Sequence, residues 1–415
     1  MKKIIYILFL LASTYQSSTA QWVQQNSGTN VNLYDIEFLN ENTGWAVGDG
    51  GVVLKTINGG KNWVNIPNPA EGKLLKSIHI IDSNYIYFAG WFETIIKSTD
   101  GGSSWIVIRN GTAGQGSSYD GLYFINKDTG WICGTGQKVL STKDGGATID
   151  STYLFWGTLS DIHFKNSNSG LICGDGVVFK TTNAGNNWYN SNVPTNGVYY
   201  RFRKVAAVNN NVWVAGSGTP VVYYSPDFGE SWVVTDTISD VGIIGNAFVD
   251  SLTGFAGGGL HRLFKTTNGG YNWREENNGH IDNSPILSIE FINNLTGWYV
   301  SGTGKIFKTT TGGQTLVNIS NQNRYLNTDF KLYQNYPNPF NPLTTIDFTI
   351  PESNSISLNI FNLNGKFIKS IFKNEYYKKG KYSINFNADA LPSGVYIYSI
   401  KYKKYTYSKR MILIK

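Results

Sequence analysis

The residue types best suited to chemistry recur at one position of a repeated segment. Two histidines and two glutamates on one circle could ligate a metal ion. Spread over several repeats, however, they fit better as polar groups that line a channel and hydrogen-bond to water. We therefore predict no metal site and no cofactor. The residues at this position are Glu37, His79, Tyr123, His163, Ala206, Ala247 and Glu290.

Glycoside hydrolysis is the second chemistry to consider. It requires two placed carboxylates, and no pair of Asp or Glu stands out by its spacing. The arginines also fall at no shared repeat position that would direct three of them at one acidic sugar. These arginines are Arg109, Arg201, Arg203, Arg262, Arg274, Arg324 and Arg410. We expect a non-catalytic protein; the alternative is a secreted glycan-active hydrolase on the same scaffold.

A short turn motif recurs along the chain and marks the spacing of the repeats. Its pattern is a hydroxyl residue, Asp or Asn two later, Gly two after that, and Trp three further on, as in Lys55–Trp63, Ser98–Trp105 and Ser225–Trp232. The Asp or Asn can cap backbone N–H groups, the Gly can take positive φ, and the Trp restarts a strand by packing over the turn. The motif, an Asp box, is therefore predicted to be structural.

The motif Gly recurs every 39 to 44 residues. It is Gly60, Gly102, Gly146, Gly185, Gly229, Gly270 and Gly313 in the seven repeats. A period of this length filled with short β runs is typical of a propeller with one four-stranded sheet per repeat. We predict an all-β chain, with a seven-bladed β-propeller over residues 21–317. Gln21-Trp22-Val23 should close the ring by pairing into the last blade, where Leu316 replaces the motif Trp.

The two ends of the chain differ from the repeats. Residues 1–20 read as a signal peptide, because Lys2 and Lys3 precede a short apolar run. No segment is long and apolar enough to predict a membrane span.

A polar linker, residues 318–329, leads to a small antiparallel β-sandwich over residues 330–415. Residues 21–330 carry a net charge of −4 and residues 331–415 one of +9, a distribution that gives little support for nucleic-acid binding.

The C-terminal module has three ordered motifs: Tyr333–Pro351, Leu391–Tyr398 and Lys409–Lys415. Together they resemble the type A C-terminal sorting domain of the type IX (Por) secretion system. The resemblance implies the type IX machinery as a partner, passage through the periplasm, and a secreted or outer-membrane surface location. It also implies that the domain is removed after export.

The repeats are similar to BNR/Asp-box propellers, above all to the photosystem II assembly and stability factors. That resemblance implies binding of protein partners without catalysis. A photosynthetic role does not transfer, since the sorting domain indicates a Bacteroidota-like lineage without photosystems.

A ligand site is predicted on the propeller face opposite the Asp boxes. Trp91 and Trp156 are the tryptophans that the repeat template does not explain. Exposed aromatics with nearby arginines suit stacking on a glycan or anchoring of a protein ligand; the alternative is that these aromatics fold back over the blade tops. The candidate residues are Trp91, Phe92, Trp156, Tyr199, Tyr200, Arg201 and Arg203.

Overall fold

The computed structural model describes residues 22–111, 117–154, 157–195, 200–217, 221–238, 242–276, 283–313, 330–362, 367–403 and 405–415. The chain divides into two compact units, Met1–Asn318 and Ile319–Lys415. The expected signal peptide, the linker and Leu316 lie outside the described residues. No helix capable of spanning a bilayer occurs in the described part of the chain.

The first unit is a ring of four-stranded antiparallel sheets. Blades 1 to 6 are β2–β5, β6–β9, β10–β13, β14–β17, β18–β21 and β22–β25, and blade 7 is ordered β26-β27-β28-β1. The strands are β1 Val23–Gln25; β2 Leu33–Phe38, β3 Gly44–Gly48, β4 Val53–Thr56, β5 Val64–Asn65; β6 Leu75–Ile80, β7 Ile86–Gly90, β8 Thr94–Ser98, β9 Ile106–Arg109; β10 Tyr119–Phe124, β11 Gly130–Gly134, β12 Lys138–Thr142, β13 Asp150–Tyr153; β14 Leu159–Phe164, β15 Gly170–Gly174, β16 Val177–Thr181, β17 Tyr189–Asn190; β18 Arg201–Val208, β19 Asn211–Ser217, β20 Val221–Ser225, β21 Val233–Thr237; β22 Ile243–Phe248, β23 Gly254–Gly258, β24 Leu263–Thr266, β25 Arg274–Glu276; β26 Ile286–Phe291, β27 Gly297–Ser301 and β28 Ile306–Thr309. Short 3₁₀ turns at Asp49–Gly51, Gly259–His261 and Gly302–Gly304 join the second and third strands of blades 1, 6 and 7.

The ring closes with the first strand of the chain. β1 pairs antiparallel with β28, with Val23 opposite Lys308. Trp22, just before β1, is fully buried against the rings of Phe255, Phe291 and Tyr299. The predicted pairing of this N-terminal segment into the last blade is confirmed.

The Asp boxes form the turns that the sequence predicted. In blade 1 the hydroxyl of Thr56 accepts the Gly60 N–H at 2.9 Å, and the side-chain oxygen of Asn58 accepts the Asn62 N–H at 2.9 Å. Gly59 and Gly60 have φ of 70° and 86°, values that favour glycine. The local hydrogen bonds thus fix where each outer strand begins.

Aromatic stacking joins neighbouring blades. Phe38 of the innermost strand of blade 1 stacks on Trp298 of blade 7, with ring centroids 3.5 Å apart. Equivalent stacks are Phe124 on Tyr87, Phe164 on Trp131, Phe248 on Trp213 and Phe291 on Phe255. A Cβ at Gly44 would lie 2.5 Å from the Phe38 ring, so only glycine leaves this ring its place.

The two cysteines belong to this inter-blade core. Cys133 and Cys173 occupy equivalent positions in β11 and β15, both fully buried and not in a disulfide. Both therefore serve as small apolar residues of the core.

The second unit is a two-sheet β-sandwich. Its sheets are ordered β29-β30-β33 and β32-β31-β34-β35, and the core between them includes Phe348, Tyr398 and Met411. The strands are β29 Lys331–Leu332, β30 Leu343–Ile350, β31 Asn354–Asn362, β32 Phe367–Tyr377, β33 Gly380–Asn387, β34 Gly394–Tyr402 and β35 Tyr405–Leu413.

Candidate ligand-binding site

The innermost strand of every blade carries a β-bulge at the same place. In β2, for example, the pairing with β3 shifts register between Leu33 and Asp35, so Tyr34 has no cross-strand partner. Such bulges re-aim one side chain, here toward the mouth of the central channel. We call the seven bulged residues the mouth ring: Tyr34, Lys76, Asp120, Ser160, Arg203, Ile244 and Leu287.

All members of the mouth ring line one cavity of about 310 Å³, the funnel, together with Asp35, Asp161, Lys204 and Ser217. The funnel has two unlike halves. Blades 2 to 5 contribute the polar members of the ring, whereas Ile244, Leu287 and Tyr34 from blades 6, 7 and 1 form a mostly apolar arc. A cavity of this size falls within the range of small-ligand sites, and most of the side chains that line it are polar or charged.

A second cavity of about 410 Å³, the Trp91 depression, adjoins the funnel through shared lining residues. Lys76, Asp120 and Arg203 line both cavities. The other lining residues are Trp91, Phe92, Ser117, Ser118, Thr135 and Thr158. Three of the sequence-predicted candidates, Trp91, Phe92 and Arg203, therefore lie at one site.

The turn that carries Trp91 is held by its neighbours. Trp91 N–H donates to the Leu74 carbonyl at 2.9 Å and Glu93 N–H to the Ser117 carbonyl at 2.7 Å. Phe92 and Glu93 have φ of 56° and 54°, a strained conformation for such residues that surrounding contacts must maintain. The Glu93 carboxylate accepts two hydrogen bonds from Arg109. The Trp91 side chain, 43% exposed, is thus presented on a fixed turn.

The remaining candidates are not part of this site as described. Tyr200 was predicted as an exposed aromatic, and this is wrong: it is buried against Phe202 and Tyr223. Arg201 is exposed and lies 3.5 Å from Asp175 rather than lining either cavity. Trp156 and Tyr199 lie outside the described residues.

Charged groups cross the channel below the mouth ring. Lys204 Nζ of blade 5 lies 3.6 Å from Asp35 Oδ1 of blade 1 and 4.0 Å from Asp161 Oδ1 of blade 4. Burial alone would lower the pKa of Lys204, but Asp161 and Asp35 outweigh it and raise that pKa. The funnel therefore has a charged floor.

The aspartates of this floor also fasten blades together. Asp35 accepts the Ile78 N–H of blade 2 at 3.1 Å and the Ser288 hydroxyl of blade 7 at 2.7 Å. Asp161 accepts the Val205 N–H at 2.8 Å. Each innermost strand has a free edge whose N–H groups need acceptors, and these carboxylates supply acceptors for the edges of blades 2 and 5.

The ring of Glu and His residues lies deeper in the channel. Glu37 Oε1 is 3.6 Å from His79 Nδ1, and His79 Nε2 is 2.8 Å from the Phe124 carbonyl. Burial lowers the pKa of His79 and of His163 to about 4, and burial followed by the Asp35 carboxylate raises the pKa of Glu290 to about 8. Much of this ring is therefore uncharged near neutral pH. Within the described residues, no group of three or more His, Cys, Asp and Glu is arranged to hold a metal ion.

Comparison with known families follows the division into two units. Residues 334–415 match the family described as "Secretion system C-terminal sorting domain". The chain ends in a type IX sorting domain. Residues 14–120 match "Photosynthesis system II assembly factor YCF48", so both resemblances seen in the sequence are confirmed. The sorting tail marks this propeller protein for secretion to the cell surface or beyond it.

Solved structures show the same architecture at low sequence identity. "YCF48 bound to D1 peptide" is 19% identical with a TM-score of 0.59, over 70% of this chain and 97% of that one. YCF48 from Cyanidioschyzon merolae is 17% identical with a TM-score of 0.58, over 70% and 98%. PorZ, a surface component of the type IX secretion system of Porphyromonas gingivalis, is 14% identical with a TM-score of 0.51, over 92% and 59%. Among curated proteins, none matches this sequence.

Proposed function

We propose that this secreted propeller is a non-catalytic binding protein whose ligand occupies the funnel and the Trp91 depression. The observation that carries the proposal is the mouth ring. Bulges at one shared position turn seven side chains into one cavity. The convergence of side chains of unlike chemistry on one cavity supports a binding role.

The environment of the channel carboxylates supports binding over catalysis. A glycosidase needs one carboxylate to act as an acid and another as base or nucleophile beside the scissile bond. Asp35 and Asp161 accept backbone N–H groups of neighbouring blades, and Glu37 accepts the Ile80 N–H at 3.2 Å. Groups committed to joining blades are poorly suited to move protons to and from a substrate.

Two of the structural relatives give this proposal context. One is YCF48 bound to D1 peptide, and another is PorZ, a bacterial surface component of the type IX secretion system. Their likeness to this chain concerns the fold. We propose that the present propeller likewise presents a binding face outside the cell, with a glycan or protein ligand of its own.

An activity screen beside a binding assay tests the proposal. The purified full-length chain is incubated with a panel of glycosides and polysaccharides and captured on the same material and on outer-membrane proteins. We expect retention without turnover, and loss of retention in Arg203→Ala but not in Arg201→Ala, which alters an exposed arginine of the same strand. Turnover that Asp161→Asn abolishes would favour the hydrolase alternative, and unchanged retention in Arg203→Ala would exclude this site.

A further inference from the structure

The lining of the Trp91 depression is chemically uneven. One face is aromatic, from Trp91 and Phe92. The other lining residues are hydroxyl-bearing or charged, and among the described residues no aliphatic side chain belongs to the lining. Grooves that bind peptides commonly offer hydrophobic pockets for anchor side chains, whereas an exposed aromatic ring among hydroxyls suits a sugar ring, which has apolar faces and polar edges.

Two of the hydroxyl groups hold the wall in place. The Ser118 N–H donates to Thr135 Oγ1 at 2.6 Å, and the Ser118 hydroxyl donates to Asp120 Oδ1 at 2.5 Å. Two others have unused capacity: among the described residues, the hydroxyls of Ser117 and Thr158 have no hydrogen-bond partner. The depression thus offers donors and acceptors on a fixed wall, as the hydroxyls of a sugar require.

The two cationic side chains that line the depression differ in their ion-pair partners. Lys76 Nζ lies 3.3 Å from Asp120 Oδ1 and is neutralised there. Arg203 Nε has a long hydrogen bond of 3.4 Å to the Ser217 hydroxyl, and no carboxylate within the described ranges lies at salt-bridge distance from it. Its guanidinium keeps N–H donors available at the junction of the two cavities. A planar guanidinium in this state is suited to bind a carboxylate with two parallel hydrogen bonds.

The mouth ring adds a further polar group beside the depression. Ser160 is 7% exposed, and its Oγ has no hydrogen-bond partner among the described residues. Buried hydroxyls are normally satisfied by protein or water. Because this Oγ is inaccessible to solvent, it lies behind the surface of the funnel and makes no direct contact with a ligand there.

We infer that the Trp91 depression is a subsite for an acidic sugar residue of an extracellular glycan. The sugar ring stacks on Trp91, its hydroxyls bond to Ser117 and Thr158, and its carboxylate binds the Arg203 guanidinium. This rests on the proposed function, since it names the ligand class of the same face. A peptide is the less suitable occupant because the part of the depression that the structure describes has no aliphatic wall.

The experiment uses the full-length chain and polymers that differ only in charge. Polygalacturonate, alginate, hyaluronan and polysialate are each titrated beside their carboxyl-reduced counterparts, with a library of acidic peptides as the competing class. We expect at least one acidic polymer to bind and its reduced counterpart to bind about tenfold more weakly.

Four variants locate the interaction. Arg203→Gln should bind the acidic polymer only as well as the reduced one, because it removes the charge and the paired donors. Trp91→Ala should lose both polymers. Arg201→Gln and Tyr153→Ala are matched controls, since they change an arginine and an aromatic that are exposed elsewhere, and both should bind as the parent does. Melting curves of all four verify that they are folded.

The outcomes separate this inference from the proposed function. If no acidic glycan binds while a peptide does, and Trp91→Ala abolishes that binding, the face is a binding site but the ligand class is wrong. If an acidic glycan binds equally well to Arg203→Gln, the assigned role of the guanidinium is wrong. If acidic polymers and acidic peptides all fail to bind while another polysaccharide or an outer-membrane protein is retained, the inference is overturned and the proposed function stands; if none of these is retained, both are overturned.

Discussion

Lys55 Nζ donates a hydrogen bond of 2.7 Å to the carbonyl oxygen of Gly101, the first glycine of the next blade's Asp box. The same bond recurs in three other blades, whereas the equivalent Lys180 of blade 4 pairs with the Glu230 carboxylate. The equivalent pairs are Lys97 with Gly145, Lys265 with Gly312, and Lys308 with Gly59. The Asp box is therefore an acceptor for the preceding blade as well as a turn.

Blades without this lysine use a tryptophan instead. Ser141 stands opposite Trp131, where blade 1 has Lys55 opposite Trp45. There the Trp131 indole N–H donates to the Ala184 carbonyl at 3.0 Å, whereas the Trp45 indole N–H has no hydrogen-bond partner among the described residues. Lysine and tryptophan are thus alternative donors to one carbonyl.

This arrangement predicts non-additive effects of two substitutions. Lys55→Met and Trp45→Phe should each lower the free energy of unfolding by about 1 kcal/mol or less, because the other residue can serve the Gly101 carbonyl. Together they should lower it by more than the sum, since that carbonyl is then buried and unpaired.

Trp131→Phe alone should lower the free energy of unfolding by roughly 1–3 kcal/mol, because Ser141 cannot replace the indole as a donor to the Ala184 carbonyl. Lys143→Met, an exposed change, is the control in thermal melts; strict additivity would contradict the shared acceptor.

Ring closure by the N-terminal segment gives a second prediction. Trp22→Ala should destabilise the propeller by roughly 3–5 kcal/mol, as expected for removal of a fully buried large aromatic. Val23→Ala is the matched control, because Val23 is 58% exposed and keeps its backbone pairing with Lys308. Calorimetric melts compare the two. Similar melting temperatures for both variants would show that the closure does not depend on Trp22.

The deep channel predicts a pH dependence of stability. Burial, and after it the Asp35 carboxylate, raises the pKa of Glu290 to about 8 from an ordinary 4.5. The folded protein therefore keeps a proton that the unfolded chain releases. Its contribution is complete below pH 4.5 and is lost as pH rises through about 8.

Glu290→Gln tests this dependence, because Gln resembles the protonated acid and does not titrate. At pH 9 the variant should be more stable than the parent by roughly 1–3 kcal/mol, and at pH 4.5 the difference should nearly vanish. Denaturation curves at both pH values measure it. A difference of the same size at both would mean that Glu290 titrates normally.

The sorting domain predicts an export defect on truncation. Removing residues 409–415 deletes Met411 and Leu413, which are buried in the sandwich core, as well as part of β35. The chain should then accumulate in the periplasm, as cell fractionation would show. Ile414→Ser, an exposed change in the same segment, should be exported normally. Surface display of the truncated chain would contradict the role of this terminus.

Processing gives a further prediction that the fold alone does not test. We expect the exported protein to lack residues from about Phe330 onward, because exposed segments between packed modules are where proteases act. Intact-mass measurement of secreted protein decides the point, with whole-cell precursor as the control. A secreted chain that still ends at Lys415 would contradict it.

The propeller could be predicted because its rules are local. A hydroxyl, an acidic or amide residue, Gly and Trp at fixed offsets form one turn, and the interval between turns gives one blade. Trp91 could be found for the same reason, since the repeat template does not call for a tryptophan in the turn between β7 and β8. The exposed position predicted for Trp91 is confirmed.

The rest of the site depends on strand register, which the sequence does not display. Tyr34 and Ile244 look like ordinary strand residues until the bulges turn them into the funnel. The exposed position predicted for Tyr200 was wrong, although the sequence contained a signal for its burial. Phe202 packs in the blade core, and side chains two residues apart point the same way in extended chain, so Tyr200 shares that direction.

Because a bulged residue has no cross-strand partner, the mouth ring is uncoupled from the pairing of the sheets. Seven codons can therefore change while the register, the inter-blade stacks and the export address stay as they are. After gene duplication, a copy of this chain needs only a few point mutations at these positions to change the chemistry of the funnel. The bulges thus allow the lining of the funnel to vary between copies of this scaffold while the fold stays the same.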